Sequence, residues 1–301
     1  MTAFTTISQI VDEAKRRGPI STAVVAPYDA ATMSAVKEGV EQGLIRAELF
    51  GDGERLRKKL LEAGVDNKGE AISITDSHDP IADAVASIRE GRSRMLMKGA
   101  VTTPALLKAV LDRQTGLNAG RTCSHLAVCQ IPGWDRLLMI SDGGLNILPT
   151  VEQKADIIRN MAEMGHCLGI ETPKIAVLAS LEEVKSNIPA TVDAAILTQM
   201  QRRGQIQGCI VDGPLAIDNI VSAEAAGKKG IVSPVAGQAD GIVVPSVECG
   251  NVLGKGLSCF LGINNAAVVL GAAVPIVLPS RAGRPESKWA SIGLGVLMAA
   301  K

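Results

Sequence analysis

The sequence predicts an α/β protein built from two α/β/α domains with mainly parallel sheets. Two observations predict it. Short aliphatic runs alternate with helical periods along nearly the whole chain. That order needs crossover helices, which cover both faces of a parallel sheet. The alternation breaks once, near residue 127, where two strands follow one another directly.

The elements follow in order. "TAVVA" (22–26) is a strand, and a helical period covers 30–42. "LIRAELFG" (44–51) precedes a charged helix over 54–63, and "AISIT" (71–75) precedes "DPIADAVASIREG". There Asp79 reads as an N-cap and Pro80 as the first helical residue. "RMLMK" (94–98) leads into a helix over 104–113. "SHLAVCQI" and "RLLMIS" are separated only by Pro132-Gly133-Trp134-Asp135, a link short enough to make an antiparallel hairpin. Alternation then resumes with a helix over 151–168, a strand over 174–179, a helix over 189–203 and a strand over 206–213, and it ends in a helix over 287–300.

Composition excludes several functions. Charge balances to a formal +0 and aromatics are 2%, so neither a basic face nor stacking platforms favour nucleic acid. The six cysteines form no C-x-x-C pair and there are only three histidines, so no zinc site is expected. The thiols read as buried and reduced, and the N-terminal run lacks an apolar leader core, which together predict a cytoplasmic protein. The longest apolar run, 266–279, is interrupted by Gly271 and Pro275 and is too short to span a bilayer.

Several runs could carry chemistry. "GDGERL" lacks the third glycine of a dinucleotide fingerprint and reads as a plain βα turn. "GNVLGKG" is one residue short of a P-loop and reads as a helix start. "MKGAVTTPALLKAV" ends a strand at Lys98 and opens a helix behind Thr102 and Thr103. Free N–H groups at that helix start, the two hydroxyls and Lys98 together suit an anion, and Lys108 could reach back to it. The alternative is simple capping by Thr103 with surface lysines. Asp142, Asp212, Asp218 and Asp240 are read as carboxylates at the C-terminal ends of strands, where open α/β sheets bind ligands. Arg281 follows a wholly apolar strand beside Ser280, and a guanidinium suits bidentate capture of phosphate or carboxylate. A structural ion pair is the competing reading.

Taken together, "LMKGAVTTPALLKAVL", "SHLAV", "SDGGLNI", "ATVDAAIL", "RGQIQGCIVDGPLAIDN", "KGIVSPVAGQADGIVVPSVECGN" and "PIVLPSRA" resemble the phosphotransacylases in order and spacing. That family comprises phosphate acetyltransferase and phosphate butyryltransferase, and the resemblance is closer to the butyryl branch. It implies a fold like isocitrate and isopropylmalate dehydrogenases, with residues 1–126 plus 273–301 as one domain, 127–272 as the other, and an active-site cleft between them. It implies conversion of acyl phosphate and coenzyme A to acyl-CoA and phosphate, with a short-chain acyl group. Coenzyme A is then a substrate, with no permanent cofactor and no metal, and the protein a homodimer or larger homo-oligomer with neither nucleic-acid nor membrane partners. Arg281 would hold phosphate and Ser280 would lie beside the reacting thiol. Lys98, Thr102, Thr103 and Lys108 would form the phosphate pocket, with Ser124, Asp142 and Asp218 as further binding residues. The aspartates that relatives carry near this point are Gly283 and Ser287 here, which leaves Glu286 as the candidate thiol base. A tyrosine of the family pattern is Gly254, and an arginine of the acetyl branch is Lys108. These departures keep open a non-catalytic relative, or a dehydrogenase of the same fold using Asp212, Asp218 and Asp240 for Mg²⁺ or Mn²⁺.

Overall fold

The computed structural model describes residues 2–65, 71–278 and 285–301, apart from the side chains of 285 and 286. The chain divides into two compact units. One combines the N-terminal residues up to Ile7 with Thr122–Asn265, and the other combines Ser8–Arg121 with Ala266–Lys301. Sequence reading drew the divisions at 126/127 and 272/273.

The unit that holds the C-terminus begins with α1 (Ile7–Arg17). It continues through β1 (Ile20–Val25), α2 (Ala30–Glu41), β2 (Ile45–Gly51), α3 (Gly53–Glu62), β3 (Ile72–Asp76), α4 (Pro80–Arg89), β4 (Met95–Lys98) and α5 (Thr103–Val110). Its strand order is β3-β2-β1-β4, and these four run parallel. Ala23, Val24 and Val25 of β1, and Met95, Leu96 and Met97 of β4, are fully buried. Strands covered on both faces read as continuous apolar runs rather than alternating ones, which is why they were legible. Asp29, Asp52 and Asp79 cap α2, α3 and α4, each accepting a backbone N–H three residues on.

The other unit is mixed. Its strands are β5 (Ser124–Gln130), β6 (Leu137–Ser141), β7 (Lys174–Leu178), β8 (Ile210–Leu215) and β9 (Gly241–Val243). They lie in the order β5-β6-β9-β7-β8, with β5 antiparallel to β6 and the rest parallel. The predicted hairpin is β5–β6. Its helices are α6 (Val151–Cys167), α7 (Pro189–Arg202), α8 (Ile217–Val221), α9 (Ala223–Lys228) and α10 (Val247–Leu261). Thr150 and Gln153 form a reciprocal capping box at the start of α6. Farther along α6, Lys154 is almost wholly buried and donates to Asp193 of α7 at 2.6 Å.

The C-terminal return supplies β10 (Asn264–Leu270), β11 (Ile276–Val277) and α11 (Pro285–Ala299). β11 lies between β4, to which it is parallel, and β10, to which it is antiparallel. α11 covers them closely: a Cβ on Gly295 would come within 2.4 Å of the Met95 sulfur.

Some sequence expectations are corrected. α5 starts at Thr103, and its cap is Thr102, whose hydroxyl accepts the Ala105 N–H at 3.3 Å. β8 starts at Ile210 rather than 206, because the chain turns first at Gly208, where φ is +77°. It also runs on through Pro214, with the Leu215 carbonyl accepting from Ala179. "GNVLGKG" lies inside α10, whose cap is Ser246. Gly250 is needed there because a Cβ would sit 2.8 Å from the Asp142 carbonyl oxygen. The thiols are not all buried: Cys123, Cys129, Cys167 and Cys209 are, but Cys249 is half-buried and Cys259 exposed. Among the described residues no helix is long and apolar enough to cross a membrane.

Candidate active site

The turn from β4 into α5 is built from backbone upward. Gly99 donates to Val25 O at 2.9 Å and Ala100 to Ala26 O at 2.8 Å, so the turn is strapped to the end of β1. A Cβ on Gly99 would lie 2.4 Å from Val25 O, so only glycine fits. Ala26 beside it has φ +44°, a left-handed conformation that an alanine adopts at some cost. The Lys98 ammonium donates to Gly99 O at 3.1 Å and Val101 O at 3.0 Å, drawing the loop over itself. This leaves the first N–H groups of α5 beside a lysine, with Thr102 exposed and Thr103 half-buried. The arrangement suits an oxyanion through the helix dipole and the unsatisfied N–H groups. Lys108 is on the same helix but in its last turn, exposed.

Ser124 and Asp142 lie at the open end of the β5–β6 hairpin. Ser124 is fully buried, and its hydroxyl accepts from Asn160 Nδ2 at 2.9 Å. Asp142 is 1% exposed, and both its oxygens are occupied. One accepts the N–H groups of Gly144 and Leu145 at 2.8 and 2.9 Å. The other accepts the Asn146 N–H at 3.3 Å and Asn146 Nδ2 at 2.5 Å. A carboxylate so bound closes its own loop. Asn146 Nδ2 also donates to Cys123 O at 2.9 Å, which ties that loop to the start of β5.

Sequence reasoning passed over His125 in this group. The residue retains some surface, but its Nδ1 has none and has no hydrogen-bond partner among the described residues. Burial holds the imidazole pKa below its ordinary value, and the nearby Asp142 charge opposes this more weakly. The unfolded chain therefore takes up a proton near pH 6.5 that the fold still refuses. Stability is lost as pH falls below about 6.5 towards the lower folded pKa. Thermal unfolding from pH 7 to 5 should show a smaller loss for His125→Gln than for the wild type. Parallel slopes would show that His125 carries none of the acid sensitivity.

Asp218 lies in the first turn of α8 and is exposed. It pairs with Lys229 at 2.9 Å, and Lys229 also pairs with Glu182 at 2.8 Å. The hydrogen bond from Lys229 holds both carboxyls below their usual range. Asn219 is buried and donates to Glu182, while its own Oδ1 has no partner among the described residues. Asp240 corrects the sequence reading. It precedes β9 and accepts the N–H of Lys174, which begins β7, at 2.8 Å. It therefore sits at the amino-terminal edge of these strands, whereas Asp218 follows the carboxyl end of β8. Burial raises its pKa, offset in part by that N–H. Among the described residues, no three His, Cys, Asp or Glu side chains are grouped to hold a metal ion. The proposed Asp212, Asp218 and Asp240 ligand set is not assembled. Ser280 and Arg281 lie outside the described residues, as does the side chain of Glu286.

Comparison with known proteins places these features in a family. The family model described as "Phosphate acetyl/butaryl transferase" matches residues 75–294. A phosphate acetyltransferase of Thermotoga maritima is 40% identical over 97% of this chain and 99% of its own. A probable phosphate butyryltransferase of Bacillus subtilis is 43% identical over 91% of each. Among solved structures, a branched-chain phosphotransacylase from Enterococcus faecalis superposes with a TM-score of 0.78 at 26% identity, covering 93% of this chain and 99% of that one. The matched span includes the Lys98–Thr103 turn and the "PSRAGRPES" run. The chain belongs to the phosphate acetyl- and butyryltransferase family.

Proposed function

We propose that the protein interconverts a short-chain acyl-CoA and inorganic phosphate with the acyl phosphate and free coenzyme A. The observation that carries this is the family match across residues 75–294, together with an anion-receptive turn at its start. In the direction of acyl-CoA formation, the thiol of coenzyme A loses its proton to a base and attacks the acyl carbonyl. The tetrahedral intermediate then expels phosphate. A free thiol of pKa about 8.5 is only a few per cent thiolate at neutral pH, so a base accelerates the step. Arg281 grips the phosphoryl group through two parallel hydrogen bonds. The N–H groups of α5, Thr102, Thr103 and Lys108 supply further positive potential. Lys98 contributes by shaping the turn as well as by charge. Ser280 lies beside the thiol and Glu286 takes its proton.

Ser124 and Asp142 serve by holding the β5–β6 end in shape rather than by touching substrate, since both are buried, Ser124 accepts from Asn160 and both Asp142 oxygens accept from their own loop. Asp218 acts through its pair with Lys229. The protein works in the cytoplasm as a homodimer, with coenzyme A as a passing substrate and no resident cofactor.

The test is phosphate kinetics. A hydrogen bond to a charged group is worth roughly 1.5–3 kcal/mol, so Arg281→Ala should raise the KM for phosphate or lower turnover at least about tenfold. Unchanged phosphate kinetics in a folded variant would remove Arg281 from the site. A wild type that transfers no short-chain acyl group to phosphate would overturn the reaction itself.

A further inference from the structure

The two faces of the sheet made by β1, β2 and β3 differ at the amino-terminal ends of these strands. Residues two apart on a strand share a face, and residues paired across strands stand side by side on it. Ser21 pairs with Arg46 and Glu48 with Ser73, so these four share one face. The opposite face carries Ile20, Ile45 and Ile72, all buried. Ser87 of α4 donates to Glu48 Oε2 at 2.7 Å, so α4 lies over the polar face. Ser21, Arg46, Glu48 and Ser73 line a cavity of about 140 Å³ there, together with Arg92 and Ser93 from the link between α4 and β4.

Donors in this cavity outnumber acceptors. Both oxygens of Glu48 are taken: Oε1 accepts from Thr75 at 3.1 Å and from Arg92 Nη1 at 2.5 Å, and Oε2 accepts from Ser87. Arg92 Nε meets Glu90 at 2.9 Å, a carboxylate that is 60% exposed and does not line the cavity. Arg92 Nη2 has no partner among the described residues. Arg46 is exposed, and neither its guanidinium nor the hydroxyls of Ser21 and Ser73 make a hydrogen bond or ion pair among the described residues. We propose that this cavity binds a free tetrahedral oxyanion of orthophosphate size. Arg46 and Arg92 Nη2 supply charged N–H donors and the two serines supply hydroxyls. A metal cation does not suit the site, because the Glu48 oxygens are already filled by donors. Size agrees: at ~30 Å³ per water the cavity holds about four or five waters, room for a five-atom ion and too little for a nucleotide. The site is distinct from the Lys98–Thr103 turn. That turn is strapped to Val25 at the end of β1, whereas Ser21 stands near its start, about 13 Å away at ~3.3 Å per residue.

Arginine-directed modification tests this on the wild-type chain, without recourse to acyl transfer. Phenylglyoxal attacks unpaired guanidinium groups, and peptide mass spectrometry follows each arginine separately. Inorganic phosphate at about 10 mM should slow the modification of Arg46 about tenfold, the protection given by a dissociation constant of about 1 mM. Arg57, exposed on α3, should react at an unchanged rate. Chloride at equal ionic strength should protect neither. Ser73→Ala, at an exposed position, removes one hydrogen bond to a charged group and should cut the protection of Arg46 to about twofold or less. Arg281→Ala should leave that protection whole, so this site and the acyl-transfer reading stand or fall separately. An Arg46 that phosphate does not protect overturns the site. Equal protection of Arg57, or undiminished protection in Ser73→Ala, overturns it too, because either outcome reduces the effect to screening of surface charge. Loss of the protection in Arg281→Ala overturns its independence from the reacting site, and with it the proposal.

Discussion

Glu286→Gln should lower turnover roughly 10²-fold or more while coenzyme A affinity changes little. The substitution keeps size and shape but removes the ability to accept a proton. Its weight comes from what stands nearby. By the resemblance drawn from the sequence, Gly283 and Ser287 stand where relatives carry aspartate, and neither side chain offers a carboxylate to deprotonate the thiol. Glu286 is the adjacent carboxylate in the first turn of α11. If it is the base, the variant also loses the acidic limb of the pH–rate profile, because that limb reports the base in its protonated form. A drop of only a few-fold would exclude Glu286. Asp218 is then the next carboxylate to test.

The largest effect on stability should come from Asp193→Asn. Lys154 is 5% exposed at its side chain, and its ammonium meets Asp193 Oδ2 at 2.6 Å, linking α6 to α7. Removing the carboxylate charge leaves a buried ammonium without its counter-ion. Breaking a buried pair from one side costs roughly 3–5 kcal/mol. Asp193 is 21% exposed, so water reaches part of the site and the lower end, about 3 kcal/mol, is expected. Replacing both residues, as Lys154→Met with Asp193→Leu, removes the desolvation cost together with the attraction and should lie far closer to the wild type. Chemical denaturation of the Asp193→Asn variant and the double variant measures this. Equal losses in the Asp193→Asn and double variants would mean that packing, not charge, holds the two helices together.

Much of the fold was legible because its strands are buried on both faces. "AVV" and "MLM" could be read without alternation, and the caps Asp29, Asp52 and Asp79 each precede a helical period. The hairpin was legible from a link too short for a crossover. What was not legible depended on closure in three dimensions. Asp240 looked like a strand-end ligand, yet nothing in "GQADGIVV" says whether it enters or leaves the strand. Asp142 looked available, but its oxygens are filled by N–H groups of a loop that closes only around it. Lys98 reads as a free cation in sequence, although its ammonium draws in two carbonyls of its own turn. His125 stood inside a quoted motif, and the scarcity of histidine was the one signal that could have singled it out.

The placement of β11 has a consequence for how the chain is made. Most of one unit, Thr122–Asn265, is continuous, so its contacts can form while the rest is still being synthesised. The other unit cannot finish in that way. β4 is an apolar strand whose neighbour on one side is β11, more than 170 residues later in the sequence. Until the ribosome has passed Val277, β4 has an unpaired edge of backbone N–H and C=O groups, open to any other strand. The nascent chain thus carries this open edge through more than half of translation, and the stretch from 95 to 98 is where a chaperone would have an unpaired strand to protect.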